Sequence, residues 1–202
     1  MFSGAQFSLY PMTADFVPAI MRGIAALDAY GSAIRRETDD VSTLLVGPPD
    51  TVVQALRDAF VATAGGGGHV VMSATLSRGC PGESDDPICT APRMPPPAEG
   101  EDLVAAALAR MNDARPSGLM CSAQISLYPL GTDVHMTRIG ACIDFLKAAG
   151  VYAKPKHFCS KLRGDAAQLF SAIERAFLDF APPSAHVVLT LTISAGSPSK
   201  PD

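Results

Sequence analysis

Gln6-Phe-Ser-Leu-Tyr-Pro11 returns 118 residues later as Gln124-Ile-Ser-Leu-Tyr-Pro129. In the first copy Ala5, Phe7 and Leu9 alternate with Gln6, Ser8 and Tyr10, the period of a half-buried strand, and Pro11 ends the run. A second string, His69-Val-Val71, recurs as His186-Val-Val188 at a spacing of 117, again at the head of an alternating run. Two matched strings at nearly one spacing make the chain a tandem duplication. Repeats of about 80 residues are close to the smallest units that fold alone, so the two copies are expected to lean on each other.

Between the strings the copies also agree in periodicity. Phe16, Ile20, Ile24 and Leu27 mark one face of a helix, with Thr13 to Asp15 as its cap and Gly31 at its exit; Ile139, Ile143 and Leu146 repeat that stripe. A short strand near residues 33–37 and a second over Val41 to Val46 follow, the latter closed by Gly47-Pro-Pro-Asp50. Next comes a helix burying Val52, Leu56, Ala59 and Phe60, matched by Leu169, Ile173, Ala176 and Phe177. After Gly65 to Gly68, residues 69–77 form a strand with Val70, Met72, Ala74 and Leu76 inward. The order strand, helix, strand, strand, helix, strand predicts an α+β fold of tandem ferredoxin-like domains, each a four-stranded antiparallel sheet with both helices on one face. The boundaries are 1–79 for the first domain and 119–196 for the second. A Pro-rich linker with one short helix over 80–118 joins them, and 197–202 is a tail.

Composition narrows the function. Hydrophobic residues make up 48% of the 202 and charged residues 18%, which suits a packed core and not a disordered chain. The net charge of −4, without Lys/Arg runs interleaved with aromatics, argues against nucleic acid or an acidic membrane surface and for a neutral or cationic small ligand. Neither a secretory leader nor a membrane-length apolar run is visible, so a cytoplasmic protein is expected. Five cysteines at positions 80, 89, 121, 142 and 159 match no zinc spacing and read as reduced thiols. Gly65 to Gly68 lacks the Lys and Ser/Thr of a phosphate loop, and no nucleophile elbow or His-Glu-x-x-His occurs, so neither catalysis, metal nor cofactor is expected.

If the helices cover the face bearing Phe7, Leu9, Val41, Leu45, Val70 and Met72, the other face carries Gln6, Ser8, Tyr10, Asp40, Ser42, Ser73 and Thr75. Hydroxyls, an amide and a carboxylate beside an aromatic ring are the convergent polar groups a small-molecule site needs, although a plain solvated sheet face has the same look. Where the copies differ is informative. Asp39 and Asp40 align with Lys156 and His157, so a segment that is acidic in one unit, 38–43, has a basic counterpart in the other, 155–161, that includes Ser160 and Lys161. Alternation places Asp40 and Ser42 beside Tyr10, and His157 and Lys161 beside Tyr128. His69 and His186 share one position at a strand entry, which reads first as a hydrogen bond to a loop and second as a ligand contact. Cys80 in Gly79-Cys-Pro-Gly82 is placed to close the first site from the end of the last strand.

Phe7-Ser-Leu-Tyr-Pro-Met-Thr13, Thr38-Asp-Asp-Val-Ser-Thr43, His69-Val-Val71, Gly79-Cys-Pro-Gly82, Ser126-Leu-Tyr-Pro129 and Ser160-Lys-Leu162, taken together, resemble the YkoF-like family of thiamin and hydroxymethylpyrimidine binding proteins. The resemblance covers most of the chain outside residues 83–118. It implies a homodimer of tandem ferredoxin-like units that binds thiamin or its pyrimidine precursor without catalysis, supporting uptake by a separate transporter. In that light Asp40 with Ser8, Ser42 or Thr43 offers the acceptor and donors an aminopyrimidine requires. The carboxylate and the face of Tyr10 both favour a thiazolium cation, the ring by about 0.5–2 kcal/mol. Ser126, Tyr128, His157, Ser160 and Lys161 form the counterpart, expected to hold the cation less well. The competing readings are a dimeric α/β-barrel enzyme of monooxygenase type acting through His69 or His186, and a regulatory module that senses a small ligand.

Overall fold

Alternating burial along Ser3–Pro11, with Ala5, Phe7 and Leu9 buried, is that of strand β1 in the computed structural model, which describes residues 3–80, 102–111, 115–183 and 185–199. Helix α1 (Phe16–Ala26) continues into a 3₁₀ segment, Leu27–Ala33, that turns at Gly31 with φ of 50°; strands β2 (Arg35–Thr38) and β3 (Thr43–Val46), helix α2 (Pro49–Ala64) and strand β4 (Val70–Arg78) complete the first half. Helix α3 (Leu103–Ala109) precedes β5 (Met120–Leu130), α4 (His135–Ala148), β6 (Tyr152–Pro155), β7 (Ser160–Asp165), α5 (Ala166–Asp179) and β8 (His186–Ala195). Residues 81–101, Cys89 among them, and 112–114 of the Pro-rich segment lie outside the described residues.

The two expected four-stranded sheets are one antiparallel sheet of eight, in the order β2-β3-β1-β4-β8-β5-β7-β6. β4 and β8 pair from Val70↔Ala195 to Arg78↔Val187. Each half alone would end in an open edge strand ready to pair with another chain, and pairing the two removes both liabilities. On the helix side of this seam Met72, Ala74 and Leu76 lie against Ile193, Leu191 and Leu189, all buried. On the other side the seam is tied twice by the same bond: His69 Nε2 lies 2.9 Å from Ser194 Oγ, and His186 Nε2 lies 3.0 Å from Ser77 Oγ. The repeated histidine is therefore a staple between the halves and not a bond to a loop.

The core lies between the sheet and α2 and α5. Val52, Leu56, Ala59 and Phe60 of α2, and Leu169, Ile173, Ala176 and Phe177 of α5, are all buried, and the Phe60 and Phe170 rings meet at 6.1 Å. Arg78, at the end of β4 and 1% exposed, donates from Nε to the Phe177 carbonyl (2.9 Å) and from Nη2 to the Leu178 carbonyl (3.2 Å), so a cation of the first half caps the carbonyl end of a helix of the second. Burial pulls its guanidinium down to about 10, with Asp179 opposing.

The helix stripe of the first half needs correction. Ala19 and Gly23 are the buried residues of α1, Ile20 and Ile24 are partly buried, and Phe16 is exposed. Small residues let α1 approach α2, Gly23 lying against Thr63 and Ala59, while Ile20 and Ile24 pack at the margin of the core.

Candidate functional site

β5 pairs with β7 only from Met120↔Asp165 to Ile125↔Ser160, so from Ser126 to Leu130 it has no strand partner on that side. The turn between β6 and β7 curls over this bare edge while α4 flanks it. Between them lies a cavity of about 320 Å³, lined by Ser126, Tyr128, Ile139, Ile143, Tyr152 and Phe158 among others. That volume suits one small heterocycle. The repeated stripe Ile139, Ile143 and Leu146 forms its helical wall.

The same construction exists in the first half. β1 pairs with β3 only as far as Phe7↔Thr43, which leaves the edge from Ser8 onward bare below the β2–β3 turn. Ser8 Oγ donates to the Val41 carbonyl at 2.8 Å, and Ser126 Oγ donates to the Phe158 carbonyl at 2.8 Å. The repeated Ser-Leu-Tyr-Pro serine thus ties the turn to the strand in both copies. The turn is also closed alike, Asp39 N to Ser42 O at 3.0 Å and Lys156 N to Cys159 O at 2.9 Å. At each tip an apolar side chain stands in solvent, Val41 at 74% and Phe158 at 91% exposed.

Asp40, Val41 and Ser42 belong to this turn and not to a strand, so the alternation that put Asp40 and Ser42 on the open sheet face, and Val41 inward, stops at Thr43. The site is a notch at the sheet edge. Asp39 is committed to the turn: its Oδ1 accepts from the amides of Ser42 (2.7 Å) and Val41 (2.8 Å), and these bonds hold its carboxyl below the usual range. Asp40, exposed beside it, is the carboxylate facing outward. Ser42 Oγ accepts from Gln6 Nε2 at 2.9 Å, and buried Thr43 shares a 3.0 Å hydrogen bond with Thr38. Pro155 stands where Thr38 does and has no hydroxyl, so the Ser160 hydroxyl, which lines the cavity, lacks that partner. Tyr10 and Tyr128 are half exposed on the two bare edges.

Lys156 and His157 line the second cavity, and Lys161 faces Gln124 across the β5–β7 ladder. Two predicted residues lie elsewhere. His69 immediately precedes β4, on the far side of β1 from the notch, and its ring turns further away, to Ser194. Cys80 follows the opposite end of β4, since Ser73 is the residue opposite Ser8 and the strand runs about 17 Å on from there to Arg78.

Sequence reading missed Ile139, Ile143, Tyr152, Phe158 and Cys142 as lining. The copied stripe was the available signal, but periodicity cannot tell a core face from a cleft wall. Cys142 is buried and its thiol pushed up to about 12 by that burial. No group of three or more His, Cys, Asp or Glu among the described residues is placed to hold a metal, and no described helix is long and apolar enough to cross a membrane.

Comparison with known proteins adds two findings. The profile described as the YKOF-related family matches residues 2–83 and 120–200, one segment for each half. A protein of Bacillus subtilis (strain 168) named "Putative HMP/thiamine-binding protein YkoF" is 32% identical over 200 residues, covering 98% of this chain and 92% of that protein.

Proposed function

The chain belongs to the YKOF-related family, and from that footing we propose that it binds thiamin and its hydroxymethylpyrimidine precursor without chemical change, one ligand in the notch of each half. The observation that carries this reading is the edge built twice, a bare strand with a serine-anchored turn above it, backed in the second half by an apolar helical wall. A pyrimidine ring offers amino donors and ring-nitrogen acceptors at its rim and flat apolar faces, which is what such a slot complements. In the first half Asp40 and Tyr10 favour the thiazolium cation of thiamin. The second half, with His157 in place of Asp40 and Lys156 in place of Asp39, favours the uncharged precursor.

The reading extends to a setting. Each half is a ferredoxin-like unit, the working form is a cytoplasmic homodimer, and the ligand is handed on in support of uptake or salvage by a separate transporter. The enzyme alternative loses its actors, because both candidate histidines are engaged in seam bonds away from the cavity.

Calorimetry tests the proposal. Thiamin and hydroxymethylpyrimidine should each give saturable heat, and a hundredfold excess over Kd should add about 2.7 kcal/mol of stability. Asp40→Ala should weaken thiamin binding far more than Lys161→Ala does. Absence of binding by both ligands refutes the function, and equal effects of the two substitutions refute the role given to Asp40.

A further inference from the structure

The tip of each turn carries an apolar side chain on a fixed support. In the second half Phe158 has its carbonyl held by Ser126 Oγ at 2.8 Å, and the Lys156 amide closes the turn on the Cys159 carbonyl at 2.9 Å. The backbone is thereby pinned to the strand edge, while the ring, 91% exposed, stands in solvent beside that of His157, 6.3 Å between centroids. Phe158 nevertheless lines the cavity, together with Ile139 and Ile143 of α4, and it also lines the open groove formed by Gln124 and residues 154–159. An aromatic ring left almost wholly in water at the rim of an apolar cavity forgoes the burial that favours such groups. The first half repeats the support with a different side chain: Ser8 Oγ donates to the Val41 carbonyl at 2.8 Å, and Val41 stands in solvent at its tip.

We propose that Phe158 is a specificity-determining residue of the second notch: its ring folds by side-chain rotation onto a flat heterocycle seated in the cavity, stacks on it and leaves no room for a second ring. The inference rests on the heterocycle-binding reading above and adds to it the residue that sorts ligands by shape. Rotation about the Cα–Cβ bond is a fast, small motion that leaves the pinned backbone in place. Offset stacking of two rings is favourable beyond the area it buries. The pyrimidine then lies between the Phe158 ring and the apolar wall of Ile139 and Ile143. Thiamin joins its pyrimidine to the thiazolium through a methylene hinge, so its rings are not coplanar and the second stands where Phe158 must close. Val41 is too short to close in that way and, branched at Cβ, offers no flat face. The first notch therefore stays open to the two-ring ligand, and shape and tip charge point the same way in each half.

The chain contains no tryptophan, so Phe158→Trp in the whole protein keeps an aromatic ring at the tip and makes it the only indole. Titration with hydroxymethylpyrimidine should shift its emission to the blue as water leaves the ring, saturating at the midpoint that calorimetry gives. Thiamin, at concentrations that saturate the first notch by calorimetry, should leave the emission unmoved. Phe158→Ala should weaken hydroxymethylpyrimidine in the second notch about tenfold, and Phe158→Leu, apolar but without a ring, severalfold. Phe158→Val, the residue of the first half, should narrow the preference of the second notch for hydroxymethylpyrimidine over thiamin, and Val41→Phe should weaken thiamin in the first. Both tips are exposed, so these changes leave the folded core untouched. An indole that ignores hydroxymethylpyrimidine while calorimetry records saturable binding, an emission that follows protein concentration instead of ligand, or Phe158→Ala or Phe158→Leu binding as tightly as the unaltered chain overturns the inference and leaves the parent reading standing. Loss of all saturable binding in the unaltered chain removes the parent reading as well.

Discussion

Gly23 and Gly140 are both helical glycines, one in each half, and the structure gives them opposite fates on replacement by alanine. A Cβ on Gly23 falls 2.1 Å from Thr63 Oγ1, 2.8 Å from the Ala59 carbonyl oxygen and 3.1 Å from a methyl of Leu9, whereas a Cβ on Gly140 meets nothing within 4 Å. The first contact is more than about 1 Å inside van der Waals separation. Thr63 cannot simply turn aside, because its hydroxyl donates at 2.7 Å to that same Ala59 carbonyl in a buried environment. Overpacking costs about 1–3 kcal/mol and a broken buried hydrogen bond a further ~1–3, against about 1 returned by the better helix former. Gly23→Ala should therefore lose about 2–3 kcal/mol and lower Tm by roughly 5–10 °C, while Gly140→Ala should gain up to about 1 kcal/mol and raise it by roughly 2–4 °C. Urea denaturation measures both. Adding Thr63→Ala to Gly23→Ala removes the worst overlap and should recover part of the loss. A Gly23→Ala protein as stable as the unaltered chain, or two alanine variants that behave alike, would refute the packing argument.

The seam staples are equivalent and stand about 27 Å apart along β4, so His69→Ala and His186→Ala should each cost about 1 kcal/mol in urea denaturation and add when combined. Asp165 caps α5 and also holds the loop that leads into β5. Burial opposes its ionisation, but bonds from the Ser117, Ala167 and Gly118 amides and the Ser117 hydroxyl prevail and hold its carboxyl below the ordinary 3.8. Its contribution is present in full above that value and is lost as pH falls through the depressed one, so the stability gap between Asp165→Asn and the unaltered chain should be wide at neutral pH and close in strong acid. Burial raises the thiols of Cys121 and Cys142 to about 12, so mild alkylation of the folded protein, read by mass spectrometry, should label Cys80 and Cys159 and leave those two intact.

Much of the architecture is legible in the chain because duplication states it twice. Strand β1, the buried faces of α2 and α5 and the inward residues of β4 follow from period and position alone. The joining of the halves into one sheet does not, because pairing of two edge strands depends on main-chain groups that every residue carries. The seam histidines were visible only as a repeated pair, and their partners Ser194 and Ser77 come close through folding across more than a hundred residues. At the site, alternation was carried three residues too far. Asp39 folds the chain back by accepting two amides, and this local bonding takes precedence over strand geometry from Asp40 to Ser42.

That error bears on how the two notches came to differ. Residues on a sheet face are constrained by their neighbours across each ladder, whereas a turn anchored at its base by one serine bond and closed by its own backbone can change its tip side chains without disturbing the strands. Asp39 is the exception within the first turn, and in the second turn Lys156 keeps only the backbone part of its role. The acidic and basic tips therefore sit on equal supports, and the contrast between them is a difference in what each notch attracts more than in how it is built. The replacement of Glu37 by Lys154 and of Leu44 by Lys161 goes further, since it reaches past the turn into the ladder itself.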